Sequence, residues 1–123
     1  HPRSGSGGGR AAMKDDRLYL THIKERIEYI QEYTAQGGDV FFRDRKTQDA
    51  VLRNLHTLSE SVQRLSEPLK AKHPEVDWRT ISAFRNVMVH DYLGIDLDQV
   101  WDIVQDDLPG LKQSVEAILA EPG

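Results

Sequence analysis

The sequence predicts an all-α protein, folded as an up-and-down bundle of four to five helices. Three observations lead to this prediction. Apolar residues recur at helical spacing in several long stretches, and glycine or proline separates those stretches. No segment alternates apolar and polar residues as a half-buried strand does. Several apolar seams are narrow and sharply periodic, so we also expect that one face is shared with a second subunit in a homodimer.

The first helix is predicted from Lys14 to about Gln36, where Gly37-Gly38 ends it. The positions that form its apolar side recur every three to four residues: Leu20, Ile23, Ile27, Ile30 and Thr34. Three further residues are expected to widen this apolar side: Leu18, Tyr19 and Tyr33.

A second long helix is predicted after Arg45, with a narrow seam like that of a coiled coil. Its seam residues follow a strict alternation of four- and three-residue steps: Val51, Leu55, Leu58, Val62 and Leu65. A short helix then begins at Ser66, with Pro68 tolerated in the first turn, and it ends before Pro74.

The last two predicted helices each begin at an aspartate. Asp77 is expected to cap a helix that runs from Trp78 to about Tyr92, and Asp96 is expected to cap the final helix. Apolar residues keep their heptad spacing across Pro109. Because proline removes a backbone donor and clashes with the preceding turn, we expect either a kinked helix or two helices that meet at Leu108. The preserved phase favours one kinked helix over two separate helices.

Composition limits the classes of protein that the chain can represent. Residues 1–12 are rich in glycine and lack periodicity, so we interpret them as an expression remnant or disordered tail before a single helical domain at residues 13–123. The chain has no cysteine and no apolar run long enough to span a membrane. The absence of cysteine fits a reducing cytoplasm. A net charge of −4 argues against a surface coated for general nucleic-acid binding.

The stretch from Arg85 to Tyr92 is the best candidate for chemistry, because it combines Arg85, Asn86, His90 and Tyr92 in eight residues. Histidine can exchange a proton with a ribose hydroxyl near neutral pH, and arginine can stabilise negative charge on a phosphorane. In an ideal helix Arg85 and His90 point roughly 140° apart. A shared site therefore requires a distorted helix, a long reach by the arginine, or a second copy of the motif.

Structural roles are the simpler alternatives for these residues. An arginine and a histidine in one helix more often form a salt bridge or a cap, and tyrosine is most often a packed aromatic. A basic cluster is usually a solvated helix face. Histidine spacing gives no metal motif, and neither a metal nor another cofactor is expected. The basic residues considered as an RNA path are Arg43, Arg45, Lys46, Arg53 and Arg79.

The segment Arg85-Asn86-Val87-Met88-Val89-His90-Asp91-Tyr92 resembles the R-x4-H-x-Y signature of HEPN-domain ribonucleases. It is most similar to the HepT toxins of HepT/MntA toxin–antitoxin systems. The resemblance extends over essentially Met13 to Leu119 and includes Trp78-Arg79 before the motif and Leu93-Gly94-Ile95-Asp96 after it.

The resemblance implies a helical homodimer in which two motifs face one cleft. It implies a metal-independent endoribonuclease that cleaves tRNA or mRNA with Arg85 and His90 as the catalytic pair, supported by Asn86 and Asp91. It further implies inhibition by an MntA-like nucleotidyltransferase antitoxin, which can transfer AMP to the motif tyrosine, here Tyr92. Two alternatives remain open. The chain could be a non-catalytic HEPN dimer that binds a nucleotidyltransferase or a nucleotide, or a purely structural bundle subunit.

Overall fold

The computed structural model describes residues 5–86 and 95–122, with side chains from residue 14 onward. Every regular element in these ranges is helical, which confirms the predicted all-α class. The helices are α1 (Gly5–Tyr33), α2 (Gly38–Arg43), α3 (Arg45–Arg64), α4 (Glu67–Lys72), α5 (Trp78–Ser82), α6 (Leu97–Asp102) and α7 (Leu108–Leu119). A 3-10 segment, Ala83–Arg85, follows α5, and a π-helical segment, Ile103–Asp107, joins α6 to α7.

The long helix α1 packs against both α3 and α7. It begins at Gly5, earlier than the expected start at Lys14. Three polar contacts order α1 against α7: Arg17 with the carbonyl of Leu119, Lys24 with Glu116, and Glu28 with Lys112. Because residue numbers rise along one helix as they fall along the other, the two helices are antiparallel.

The same reasoning applies to α1 and α3. Asp16 near the start of α1 bonds to Ser66 just beyond α3, whereas Arg26 bonds to Asn54 in the middle of α3. These two helices are therefore also antiparallel, as an up-and-down bundle requires. The segment formed by α5 and its 3-10 extension packs on α3 as well.

The predicted seams form the hydrophobic core. The seam residues of α1 and α3 are buried, and so are the heptad positions Val100, Val104, Leu108, Leu111, Val115 and Ile118. Tyr19 packs partly against this core, as predicted. No helix in the described part of the chain is both long enough and apolar enough to cross a membrane.

Two residues expected to widen the apolar side of α1 are instead exposed. Leu18 retains 52% of its accessible surface and Tyr33 retains 43%. The prediction was wrong because α3 and α7 cover only part of the circumference of α1, and neither residue lies on the covered part.

The last helix continues across Pro109, as the preserved phase predicted. The backbone N–H of Leu108 bonds to the carbonyl of Ile103, five residues earlier, which is the spacing of a π-helix. Proline lacks the N–H that an α-helix needs, and its ring crowds the carbonyl four residues earlier, at Gln105. The wider π turn directly before Pro109 accommodates both the missing N–H and the ring. Helical winding therefore continues from α6 into α7 without a loop.

The junction between α1 and α2 depends on two glycines. Gly37 has a φ of 95°, and so occupies a region that L side chains rarely adopt. At Gly38 an added Cβ would lie 3.3 Å from Cζ2 of Trp101. Trp101 packs here with its ring centroid 5.1 Å from that of Phe41, so α6 closes over the start of α2.

Candidate active site

The helix that leads into the candidate motif is fixed at its start. Asp77 caps α5 by accepting hydrogen bonds from the backbone N–H of Thr80 at 3.1 Å and from its hydroxyl at 2.7 Å. The buried indole of Trp78 donates to the carbonyl of His73 at 3.0 Å. These bonds anchor α5 to the turn that precedes it.

The side-chain hydrogen bond from Thr80, followed by that from the Thr80 backbone, lowers the pKa of Asp77 below its usual value. The capping carboxylate therefore stays ionised at neutral pH. Its negative charge at the N-terminus of α5 interacts favourably with the helix dipole. The predicted caps Ser66 and Asp96 are confirmed in the same way, by bonds from the N–H groups of Leu69 and Gln99.

The α-helix does not continue unchanged into the motif. It tightens to 3-10 winding at Ala83–Arg85, so the prediction of one regular helix from Trp78 to Tyr92 is wrong at this point. Side chains three residues apart nearly eclipse in 3-10 winding, which favours placing Phe84 over Ile81 on the buried side. Both residues are buried, whereas Arg85 and Asn86 are exposed.

This distortion bears on the geometry predicted for the catalytic pair. The angle of roughly 140° between Arg85 and His90 assumed an ideal α-helix, and that assumption fails at Arg85. A shared site was expected to require a distorted helix, a long reach by the arginine, or a second copy of the motif. The structure shows the first of these, a distorted helix, at Arg85. His90, Asp91 and Tyr92 lie outside the described residues.

A groove lies between α5 with its 3-10 extension and the residues of α6 and the π-helical segment. It has a volume of about 280 Å³ and is lined by Thr80, Ala83, Phe84, Gln99, Asp102, Ile103, Asp106 and Asp107. Burial, and then the neighbouring carboxylates of Asp106, Asp102 and Asp77, raise the pKa of Asp107. Carboxylates that together disfavour the ionised form of Asp107 would also repel a phosphate, so this groove is unsuited to an RNA backbone.

The basic residues considered as an RNA path are all exposed: Arg43, Arg45, Lys46, Arg53 and Arg79. Three of them surround the start of α3, and the exposed ring of Phe42 stands beside them in the sequence. Asp44 caps α3, and its hydrogen bond from the Thr47 hydroxyl is the main cause that lowers its pKa. This corner therefore combines cations and an aromatic ring with one ionised carboxylate.

Sequence reasoning missed a second polar arrangement, on α1. Arg26 donates to the side-chain carbonyl of Asn54 at 3.2 Å, and its guanidinium lies 4.8 Å from the ring centroid of Tyr29. The three-residue spacing of Arg26 and Tyr29 was the available signal, because it places both side chains on one helix face.

In the ranges 5–86 and 95–122, no group of three or more histidine, aspartate or glutamate side chains is arranged to hold a metal ion.

Comparison with known proteins identifies the family. The family model described as "Ribonuclease HepT-like" matches residues 23–118. The chain belongs to the HepT-like ribonuclease family. The predicted resemblance is thereby confirmed, and so, at the level of the family, is the predicted enzyme class. No solved structure matches the chain.

Two curated relatives illustrate the match of this HepT-like chain. It is 37% identical over 101 residues to "Probable ribonuclease HepT" of Thermococcus cleftensis, covering 81% of this chain and 92% of that protein. It is 35% identical over 109 residues to "Gamma-glutamylcyclotransferase and putative RNase MJ0434" of Methanocaldococcus jannaschii. The latter match covers 88% of this chain but only 49% of the relative, so the chain spans about half of that protein's length.

Proposed function

We propose that this HepT-like chain is the toxin of a toxin–antitoxin system, a metal-independent endoribonuclease that cleaves tRNA or mRNA in the cytoplasm. The observation that carries the proposal is the family match over residues 23–118, which includes the whole stretch from Arg85 to Tyr92. Arg85 follows directly on the buried anchor Phe84, and its own side chain is exposed. A cation held at a fixed point on the surface suits contact with a phosphate.

In the proposed reaction His90 removes the proton from a ribose 2′-hydroxyl, and the 2′-oxygen attacks the adjacent phosphorus. The bond from phosphorus to the 5′-oxygen breaks, and that oxygen takes a proton from the protonated His90, which returns to its neutral form. The products are a 2′,3′-cyclic phosphate and a 5′-hydroxyl. Arg85 stabilises the additional negative charge on the phosphorane. Asn86 and Asp91 support the pair by orienting it.

We propose that two copies of the chain form a homodimer and that their motifs face one cleft. Arg85 of one subunit would then lie near His90 of the other. The exposed cations Arg43, Arg45, Lys46, Arg53 and Arg79 are proposed contacts for the RNA backbone on either side of the cleft. Their side chains are accessible to solvent, as phosphate contacts require.

Regulation is proposed to occur at Tyr92, through a cognate MntA-like nucleotidyltransferase that transfers AMP to its hydroxyl. In that step the tyrosine oxygen bonds to the α-phosphorus of ATP, pyrophosphate leaves, and the phenolic proton is released. The added group introduces bulk and negative charge two residues from His90, where the RNA phosphate has to bind. Like charge and occupied volume would both oppose the substrate.

Cleavage of total cellular RNA by the purified, unmodified chain in EDTA tests the ribonuclease. We expect cleavage in the chelator by the parent chain and no cleavage by His90→Ala, because the proton acceptor is lost while no metal is required. A parent chain that cleaves no RNA, although verified as unmodified, would support the alternative of a non-catalytic dimer that binds a nucleotidyltransferase. The net charge of −4 favours this alternative, because an acidic chain is less suited to binding RNA.

A second experiment tests the regulation. Tyr92→Phe removes the acceptor oxygen and keeps the ring, so we expect it to cleave RNA like the parent but to take no AMP from ATP when the antitoxin is present. Intact-mass spectrometry measures the modification. AMP found on Tyr92→Phe would show that another residue is the acceptor.

A further inference from the structure

The exposed face of α1 carries a cation that is held over an aromatic ring. The guanidinium of Arg26 lies 4.8 Å from the ring centroid of Tyr29, within the range of a cation–π contact. Tyr33, one turn further along, shares this face of the helix. Tyr29 and Tyr33 each retain 43% of their accessible surface, so both rings are open to a ligand.

The position of Arg26 is set by a buried amide. Asn54 is 6% exposed, and its Nδ2 donates to the carbonyl of Ala50 at 2.8 Å. This bond orients the amide so that Oδ1 faces Arg26, whose Nη1 donates to it at 3.2 Å. One end of the guanidinium is thus fixed by α3. Because a guanidinium has five N–H donors, others remain for a phosphate.

From these contacts we propose that Arg26, Tyr29 and Tyr33 form a binding site for single-stranded RNA outside the catalytic motif. Arg26 contacts a backbone phosphate, and the two rings stack on successive bases. Stacking on aromatic side chains combined with arginine contacts is the usual means of binding single strands without sequence preference. The inference rests on the proposed function, since RNA is the substrate there.

The chemistry of this face favours RNA over a protein partner. A stable protein interface buries about 800 Å² on each side around an apolar centre. The large exposed apolar side chains in the described part of the chain are Leu18, Tyr29, Tyr33 and Phe42. Leu18 is about 16 Å along the helix from Tyr29. The stretch from Arg26 to Tyr33 offers two rings and no large exposed aliphatic side chain, which suits planar bases better than a packed interface. Arg26 lies on one side of the rings, and the exposed carboxylates of Glu25 and Glu32 lie on the other. A phosphate is therefore placed on the side of Arg26, away from these carboxylates.

Binding of a fluorescent 2′-O-methyl oligoribonucleotide of about 16 nucleotides, measured by anisotropy, tests the proposal, since the blocked hydroxyl prevents cleavage. We expect Tyr29→Leu to weaken binding about tenfold and Tyr29→Phe to bind like the parent, because only the first removes the aromatic face. Leu18→Ala, a change at another exposed apolar residue of α1, is the matched control and should bind like the parent.

Arg26 has its own signature in this assay. Arg26→Gln should reduce the slope of log K against log salt by about one, as expected for one lost phosphate contact. Arg17→Gln, at an exposed arginine of the same helix, should keep the parent slope. An unchanged slope for Arg26→Gln would remove the phosphate contact from the proposal and overturn it.

Two other results would overturn the site. One is parent-like binding by Tyr29→Leu. The other is a change of oligomeric state of Tyr29→Leu in light scattering, which would assign this face to a protein partner. Cleavage assays on the same proteins separate this failure from that of the ribonuclease. If the parent cleaves RNA and Tyr29→Leu binds it equally well, only the α1 site fails. If the parent binds RNA with the expected variant pattern but cleaves none, only the ribonuclease fails.

Discussion

The carboxylate of Asp16 accepts two hydrogen bonds from Ser66, one from the backbone N–H at 2.8 Å and one from the hydroxyl at 2.6 Å. The Ser66 hydroxyl in turn accepts from the N–H of Leu69 and caps α4. Asp16 is only 6% exposed. One buried carboxylate on α1 thus provides the hydrogen-bond acceptor for both donors of Ser66, where α3 ends and α4 begins.

Asp16→Ala should lower the free energy of unfolding by about 2 kcal/mol, because hydrogen bonds to a charged group are worth roughly 1.5–3 kcal/mol. Urea unfolding at neutral pH measures the loss. Asp15→Ala, at the exposed neighbour, should change stability by less than about 0.5 kcal/mol. Equal effects of the two substitutions would mean that the bonds to Ser66 contribute nothing net to the fold.

The cap formed by Asp77 predicts a loss of stability in acid. Its pKa is lowered from 3.8 in the folded chain, so between the two pKa values the unfolded chain binds more protons. The stabilisation by the carboxylate is complete above pH 3.8 and is lost as the pH falls through the lowered pKa. Compared with the parent, Asp77→Ala should be less stable at neutral pH, and the difference should shrink in acid.

Urea midpoints of parent and Asp77→Ala, taken from neutral pH to below the usual carboxyl pKa, provide this measurement. Thr80→Val, which removes the hydroxyl that contributes most to the lowered pKa, should reduce the acid dependence. A difference between parent and Asp77→Ala that is the same at every pH would contradict the role of the ionised cap.

Ionised Asp107 should destabilise the folded chain, whereas ionised Asp77 stabilises it. The pKa of Asp107 is raised, first by burial and then by the carboxylates of Asp106, Asp102 and Asp77, so its ionised form destabilises the folded chain. Asp107→Asn should therefore be more stable than the parent at neutral pH, and this gain should disappear as the pH falls through the raised pKa. Its side chain makes no capping hydrogen bond to α7, so the substitution removes no cap.

Thermal midpoints across this pH range compare Asp107→Asn with the parent. Asp98→Asn, at an exposed aspartate in the first turn of α6, is the control and should show no such gain. If Asp107→Asn were less stable than the parent at neutral pH, the mutual repulsion inferred for this groove would be wrong.

Much of the fold was predictable because burial repeats at helical spacing. The buried seams of α1 and α3 coincide with the periodic apolar residues, and three of the short polar caps follow local rules. The bond from Asp16 to Ser66 was not predictable, since the two residues are 50 positions apart. An aspartate in a helix has no local pattern that reveals so distant a partner.

The sequence names candidate residues for the site, but it does not give their geometry. Arg85 is exposed in the structure, whereas the 3-10 winding at this residue depends on how Phe84 packs against the core. Local spacing carries no information on that packing. Asn54 similarly reads as an isolated polar residue in an apolar seam, and its contact with Arg26 becomes apparent only once α1 and α3 are side by side.

Two glycines should respond to alanine with opposite signs. Gly37 has φ 95° and ψ 179°, so Gly37→Ala should cost about 2 kcal/mol of backbone strain. Gly110 lies inside α7, and an added Cβ there meets nothing within 4 Å. Gly110→Ala should therefore stabilise the chain by about 0.5–1 kcal/mol. Urea unfolding of both variants measures the pair, and a shift in the same direction would contradict this reading of the two backbones.

Arg85 and Phe84 are adjacent, yet their substitution should affect different properties. Arg85 is exposed, so Arg85→Ala should leave the free energy of unfolding within about 0.5 kcal/mol of the parent, whereas removing the buried ring in Phe84→Ala should cost about 3 kcal/mol or more. If Arg85 stabilises the phosphorane, Arg85→Ala should also reduce RNA cleavage by about 10²–10³-fold. Arg85→Lys should recover only part of that loss, since an ammonium keeps the charge but not the planar fork.

Urea unfolding and cleavage rates on the same preparations separate the two roles. Unfolding of Arg85→Ala at a clearly lower urea concentration than the parent would make this arginine a structural residue, and its loss of activity would then say nothing about catalysis. Parent-like stability together with parent-like cleavage would remove Arg85 from the catalytic pair. Only unchanged stability combined with lost cleavage places its charge at the reacting phosphate.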